Sequence, residues 1–113
     1  MEPKNDEMLY RSFLRGDDDG LQILMERYGN SLTLYIDGYL HDIHEAEDLM
    51  IEAFAYFVAK KPHIRDGGFR AYLYKSARHL ALRCLQKKRR QRIFSFEELE
   101  QEPESEVLIE TLV

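Results

Sequence analysis

Two long stretches of this 113-residue chain, residues 39–61 and 69–102, contain neither proline nor glycine. Their apolar residues recur every three or four positions, which places them on one face of an α-helix. A half-buried β-strand would instead need apolar residues at every second position, and no such alternation extends beyond a few residues. The sequence therefore predicts an all-α fold, built as a compact bundle of about four helices.

The first two helices are predicted at residues 7–14 and 20–40. Three aspartates at residues 17–19 lie just ahead of the second helix, where a carboxylate can cap free backbone N–H groups. Gly29 and Gly38 lie inside that helix, and glycine weakens a helix interior. These two glycines therefore allow a bend or a break in the second helix.

The third helix has clear start and stop signals. Asp42 stands three positions before Glu45, which is the spacing of an N-terminal capping box. Pro62 ends the helix, because proline lacks the N–H group that a helix interior needs. The predicted apolar stripe of this helix consists of Ile43, Ala46, Leu49, Met50, Ala53, Phe54, Phe57 and Val58. Residues 62–68 then form a loop, and a fourth helix is predicted over residues 69–90.

Charge is strongly segregated along the chain. Residues 1–59 carry 13 acidic and 4 basic side chains, whereas residues 60–92 carry 12 basic side chains against Asp66 alone. Residues 93–113 carry 7 acidic side chains and no basic ones. The basic segment suits the phosphates of nucleic acid, and aromatic residues within it can stack on unpaired bases. The alternative is a set of solvated helix faces followed by an acidic tail.

This change of composition also suggests the domain organisation. We predict a helical domain over residues 1–92 and an acidic linker, or the start of a second domain, over residues 93–113. Cys84 is the only cysteine, so an internal disulfide is excluded and a reducing compartment is favoured. The polar N-terminus is unlike a signal peptide, and no apolar run could span a bilayer. A cytoplasmic protein without a membrane partner is expected.

The third helix begins with side chains that could in principle bind a metal. They are His41, His44, Glu47, Asp48 and Glu52. No second helix supplies the carboxylate and imidazole groups that a bundle metal site needs, so neither a metal nor another cofactor is predicted. Ser76 and His79 are one turn apart, but no glycine-rich elbow surrounds them. The chain is therefore not predicted to be an enzyme.

Three stretches, taken in order, resemble a known family. They are FLRGDDDGLQILMERYGNSL at residues 13–32, HEAEDLMIEAFAYF at residues 44–57, and GFRAYLYKSARHLALRCLQKKRR at residues 68–90. Together they resemble region 2 of bacterial RNA polymerase sigma factors, especially those of the extracytoplasmic-function group. The resemblance implies a transcription initiation factor domain that binds core RNA polymerase and recognises and melts the minus-ten promoter element.

The resemblance also implies roles for individual residues. The third helix would dock on the clamp helices of the largest polymerase subunit through Glu47, Asp48, Glu52 and Phe54. The loop at residues 62–68 would hold a flipped base of the non-template strand. The residues expected to bind promoter DNA are Lys61, His63, Arg65, Arg70, Lys75, Arg78, His79, Arg83 and Lys87. An anti-sigma factor is a further partner that the family allows.

The chain departs from the family pattern at three positions of the fourth helix. Tyr72 replaces a frequent tryptophan, His79 a frequent asparagine, and Arg83 a usual acidic residue. These changes affect the expected promoter preference more than polymerase docking. The family's second DNA-binding domain, a helix-turn-helix, has no counterpart within these 113 residues. The alternative function is a polymerase- or partner-binding helical module of the same fold that no longer melts DNA.

Overall fold

Four α-helices make up the part of the chain that the computed structural model describes, residues 5–99 with side chains up to Ile93. They are α1 at Asp6–Leu14, α2 at Asp18–Leu40, α3 at Ile43–Lys60 and α4 at Phe69–Leu99. The predicted all-α class with four helices is confirmed. None of the helices within residues 5–99 is both long enough and apolar enough to cross a membrane.

Side-chain caps define where the first three helices begin. Side-chain oxygens of Asn5, Asp17 and Asp42 accept hydrogen bonds from backbone N–H groups of α1, α2 and α3, at 2.9, 3.1 and 3.2 Å. The last of these is the cap that the spacing of Asp42 and Glu45 predicted. Helices α2 and α3 end at left-handed residues, His41 with φ of 54° and Lys61 with φ of 43°.

The break that the sequence allowed in α2 does not occur, and the predicted end of α4 was wrong. Helix α2 is continuous through Gly29 and Gly38, because buried side chains on both sides of each glycine hold the helix in place. Gly29 itself is buried and faces the thioether of Met50. Helix α4 continues to Leu99, past its predicted end at Arg90, because residues 91–99 contain no helix-breaking residue.

The chain divides into two units, residues 1–81 and residues 82–113. In the first unit, α1 packs on α2 and α2 packs on α3. The largest side chains with less than 2% exposure are Leu9, Leu24, Leu32, Ile36, Phe57 and Leu73. The described part of the second unit is the continuation of α4. The predicted domain boundary near Arg92 stays a prediction, because residues 100–113 lie outside the described residues.

Phe57 of α3 lies at the centre of an aromatic cluster in the first unit. Its ring centroid is 5.9 Å from that of Tyr10, 5.4 Å from Phe69 and 5.8 Å from Tyr72. Aromatic pairs at such tilted or edge-on geometry stabilise a protein by about 0.5–1.5 kcal/mol each beyond their burial. The cluster joins α1, α3 and the start of α4, and it therefore fixes both ends of the loop at residues 62–68.

Candidate functional site

A cavity of about 160 Å³ lies between α1 and the loop at residues 62–68. Its walls are formed by Glu7, Tyr10, Arg11, Leu14, His63, Ile64, Arg65, Asp66 and Phe69. An engineered protein cavity of about 150 Å³ takes up a benzene molecule. This cavity therefore has room for a single flat ring, with aromatic and aliphatic walls and cationic groups beside them.

Helix α1 holds the loop in place through two side chains. The Tyr10 hydroxyl donates a hydrogen bond to the Pro62 carbonyl at 2.5 Å. The Arg11 guanidinium pairs with the Asp66 carboxylate at 2.5 Å, with both side chains more than half exposed. Such an exposed pair adds little to stability, but it neutralises the one acidic side chain of the basic segment. The loop therefore presents mainly positive charge.

Burial raises the pKa of two tyrosines, Tyr10 of α1 and Tyr28 of α2. It raises the pKa of Tyr10 to about 12, with smaller contributions from Tyr72 and Tyr56. Burial also raises the pKa of Tyr28 to about 12, aided by the hydrogen bond that its hydroxyl donates to Asp6. The Tyr10 hydroxyl therefore keeps its proton at any physiological pH and remains a donor to the loop.

All nine residues predicted to bind DNA have exposed side chains. His63 and Arg65 line the cavity, and the ammonium group of Lys61 lies 5.8 Å from the ring centre of Phe13. The exposed residues of α4 within the first unit are Arg70, Lys75, Arg78 and His79. In the second unit, Arg83 and Lys87 are exposed on the continuation of the same helix.

The outer face of α3 carries the three acidic side chains that were predicted to dock on polymerase, but not the predicted phenylalanine. Glu47, Asp48 and Glu52 are exposed, as a docking role requires. Phe54 is only 3% exposed and packs beside Phe57, so its assignment to a docking surface was wrong. Its place three residues before a core aromatic residue puts it on the buried face.

Several apolar side chains of α3 are exposed to solvent, and two of them had been predicted to be buried. Ile51 is 47% exposed, and it lies one turn from Glu47 and Asp48. Ile43 and Val58, predicted as part of the buried stripe, are 43% and 57% exposed. The predicted stripe was too broad, because the fully buried residues of α3 are limited to Ala46, Ala53, Phe54 and Phe57.

The residues that sequence reasoning missed lie in α1. Tyr10, Arg11 and Leu14 form one wall of the cavity, and no motif marks them. Tyr10 and Pro62 are 52 positions apart, so only the tertiary structure brings them together. Within the described residues, no group of three or more His, Cys, Asp or Glu side chains is placed to hold a metal ion.

Comparison with protein families gave a match over much of the chain. The family model described as Sigma-70 region 2 matches residues 24–91, which is more than half of the chain. No curated protein and no solved structure matches. The matched residues include the loop and most of α2 to α4, whereas the α1 wall of the cavity lies outside them.

Proposed function

This chain belongs to the sigma-70 region 2 family, and from that premise we propose that it melts the minus-ten element by capturing one unpaired base. Region 2 of this family takes part in RNA polymerase binding and promoter recognition, and it is a transcription initiation factor domain, not an enzyme. The base would enter the cavity between α1 and the loop at residues 62–68. The extracytoplasmic-function subgroup and a cytoplasmic location remain predictions.

The observation that carries this proposal is the shape and lining of the cavity. A base that leaves the double helix loses about a few kcal/mol of stacking and pairing, which the protein has to replace. The rings of Tyr10 and Phe69, which are 4% and 2% exposed, form the apolar floor of a space that fits one ring, and a captured base can pack against it. Arg11 and Arg65 lie at the same cavity, where guanidinium groups can bind the adjacent phosphates.

The basic side chains of α4 would hold the DNA backbone. Arg70, Lys75 and Arg78 are exposed in the first unit, and Arg83 and Lys87 are exposed in the second. Each cation that binds a phosphate releases condensed counterions, so this binding weakens as the salt concentration rises. His79, where relatives often carry asparagine, is exposed as well and would contribute to the promoter preference.

Binding of a minus-ten non-template oligonucleotide to the complex of this chain with core RNA polymerase tests the DNA-binding proposal. We expect Lys75→Ala and Arg83→Ala each to weaken binding and to reduce the salt dependence by about one unit of the log–log slope. Arg15→Ala removes an exposed arginine outside the basic segment and serves as the matched control. Equal slopes for all three variants and the parent chain would rule out phosphate contacts at Lys75 and Arg83.

Polymerase docking would use the outer face of α3. Glu47, Asp48 and Glu52 supply negative charge, and the exposed Ile51 supplies an apolar contact within the same surface. Acidic side chains around an apolar residue are typical of the rim and centre of a protein interface. We therefore propose that this surface docks on the clamp helices of the largest polymerase subunit. An anti-sigma factor that covers the same surface would block assembly.

The variant Asp48→Arg reverses one charge at the centre of this surface. We expect it to weaken binding to core RNA polymerase at least about tenfold, because like charges that face each other at an interface cost several kcal/mol. Ser31→Arg adds the same guanidinium at an exposed position of α2 and should leave the affinity unchanged. Full polymerase binding by Asp48→Arg, measured by titration of labelled chain, would contradict the docking assignment.

A further inference from the structure

The ion pair between Arg11 and Asp66 lies at the cavity that is proposed to capture a base. Both residues line the cavity, and a guanidinium nitrogen lies 2.5 Å from a carboxylate oxygen. The two side chains are 53% and 66% exposed. An ion pair this exposed contributes little to stability, so its partners can separate without unfolding the loop at residues 62–68.

Asp66 belongs to a tight turn that does not depend on this ion pair. The Arg65 carbonyl accepts a hydrogen bond from the Gly68 N–H group at 3.0 Å, which closes a four-residue turn. Gly67, the third residue of the turn, has a φ of 80°, as a type II turn requires at this position. The turn therefore keeps its backbone conformation when the side chains of Arg11 and Asp66 are apart.

The start of the loop has separate anchors on α1. The Tyr10 hydroxyl donates a hydrogen bond to the Pro62 carbonyl, and the Lys61 ammonium group lies 5.8 Å from the centre of the Phe13 ring. Tyr10 and Phe13 are only 4% and 2% exposed, so the core fixes both anchors. Separation of the ion pair therefore leaves the loop attached to α1.

A phosphate beside a captured base would compete with Asp66 for Arg11. Arginine binds carboxylates and phosphates through the same planar fork of N–H donors. Arg65 lines the same cavity and forms no ion pair within the described residues, so a phosphate can bind it directly. At Arg11, by contrast, the phosphate has to replace a carboxylate that is already bound.

We propose that Asp66 is an internal substitute for a DNA phosphate, which occupies Arg11 in the free protein and is displaced by the phosphate beside the captured base. The inference rests on the proposed function, since it takes an unpaired promoter strand as the ligand. The exchange regulates the cavity, because the carboxylate opposes each phosphate that approaches Arg11. Loss of such a competitor strengthens DNA binding, whereas loss of a simple anchor of the loop would weaken it.

A double-mutant cycle tests this exchange. Binding of a fluorescent minus-ten non-template oligonucleotide to the complex of the full chain with core RNA polymerase is measured by anisotropy. Asp66→Asn removes the charge at nearly constant side-chain size, and we expect it to raise the affinity about threefold, within the range for an exposed ion pair. In the Arg11→Ala background the same substitution should change the affinity by less than about 1.5-fold, because the carboxylate then has no guanidinium to occupy.

Glu26→Gln is the matched control for net charge. Glu26 is exposed on α2 and is not part of the cavity wall, so its neutralisation should leave the affinity within about 1.5-fold of the parent chain. Equal gains for Asp66→Asn and Glu26→Gln, or an equal gain with and without Arg11, would overturn the exchange. Unchanged or weaker binding by Asp66→Asn would overturn it as well.

Chemically altered oligonucleotides separate this inference from the proposed function. An abasic nucleotide is placed at each position in turn, and one position should weaken binding by the parent chain, as base capture requires. A neutral methylphosphonate at one of the two linkages that flank this position should remove the gain of Asp66→Asn, since Arg11 then has no phosphate to bind. Base dependence with a gain that persists at both neutral linkages would overturn the exchange and leave the proposed function standing. Absence of base dependence at every position would overturn both.

Discussion

Replacement of Gly20 by alanine is expected to destabilise the first unit by about 3 kcal/mol, the upper end of the usual range for overpacking. A Cβ atom at Gly20 would lie 2.2 Å from the carbonyl oxygen of Leu9 and 3.2 Å from the backbone nitrogen of Phe13. These are backbone atoms of α1 and cannot rotate away as a side chain would. The two helices would have to separate, and the buried side chains of α1 would lose their contacts.

Gly38→Ala is the matched control for this substitution. Gly38 also lies within α2, but a Cβ atom there would meet no heavy atom within 4 Å. Alanine at this exposed position should stabilise the helix by about 0.5–1 kcal/mol, because it restricts the unfolded chain and favours helix. Urea denaturation followed by circular dichroism measures both changes. Equal stability of the two variants would contradict the close packing of α1 on α2.

The Gly20 variant also connects stability with function. Helix α1 carries Tyr10 and Arg11, which hold the loop at residues 62–68 and line the cavity. Displacement of α1 should therefore reduce base capture even under conditions where α2 and α3 remain helical. The loop and the basic side chains of α4 lie within the matched family residues, yet the cavity is completed by a helix outside them.

The boundaries of α3 were predictable because the signals are local. Asp42 caps the helix three residues before Glu45, and Pro62 follows its end, so both limits depend on a few neighbouring residues. The basic segment was also visible, because charge can be counted directly from the sequence. Its nine predicted DNA-binding side chains are indeed exposed. Exposure alone does not test their roles.

The rest of the site depends on which elements become neighbours. Helical spacing placed both Phe54 and Val58 in the buried stripe of α3, and the structure buries Phe54 but leaves Val58 exposed. The spacing of apolar residues defines a face of a helix, but not the width of the strip that the neighbouring helices cover. The contact between Tyr10 and Pro62, 52 residues apart, similarly requires the folded arrangement of α1 beside the loop.

Phe57→Ala is expected to lower the free energy of unfolding of the first unit by about 3–5 kcal/mol, since it removes a buried aromatic side chain and leaves a cavity. Phe57 has 0% exposure and contacts five other rings. These rings belong to Tyr10, Phe54, Tyr56, Phe69 and Tyr72. Val58→Ala changes the adjacent residue, which is 57% exposed, and should alter the stability by less than about 0.5 kcal/mol.

The more conservative Phe57→Leu separates packing from base capture. Leucine keeps most of the apolar volume, so the domain should remain folded at low temperature, but the ring contacts with Tyr10 and Phe69 are lost. Because these two residues line the cavity, base binding should weaken in a variant that still unfolds cooperatively. Unchanged binding of the minus-ten non-template oligonucleotide by the polymerase complex of this variant would show that the cavity walls do not depend on Phe57. Weakened binding, with its salt dependence retained, would show that the aromatic cluster positions the base while the basic side chains of α4 hold the backbone independently.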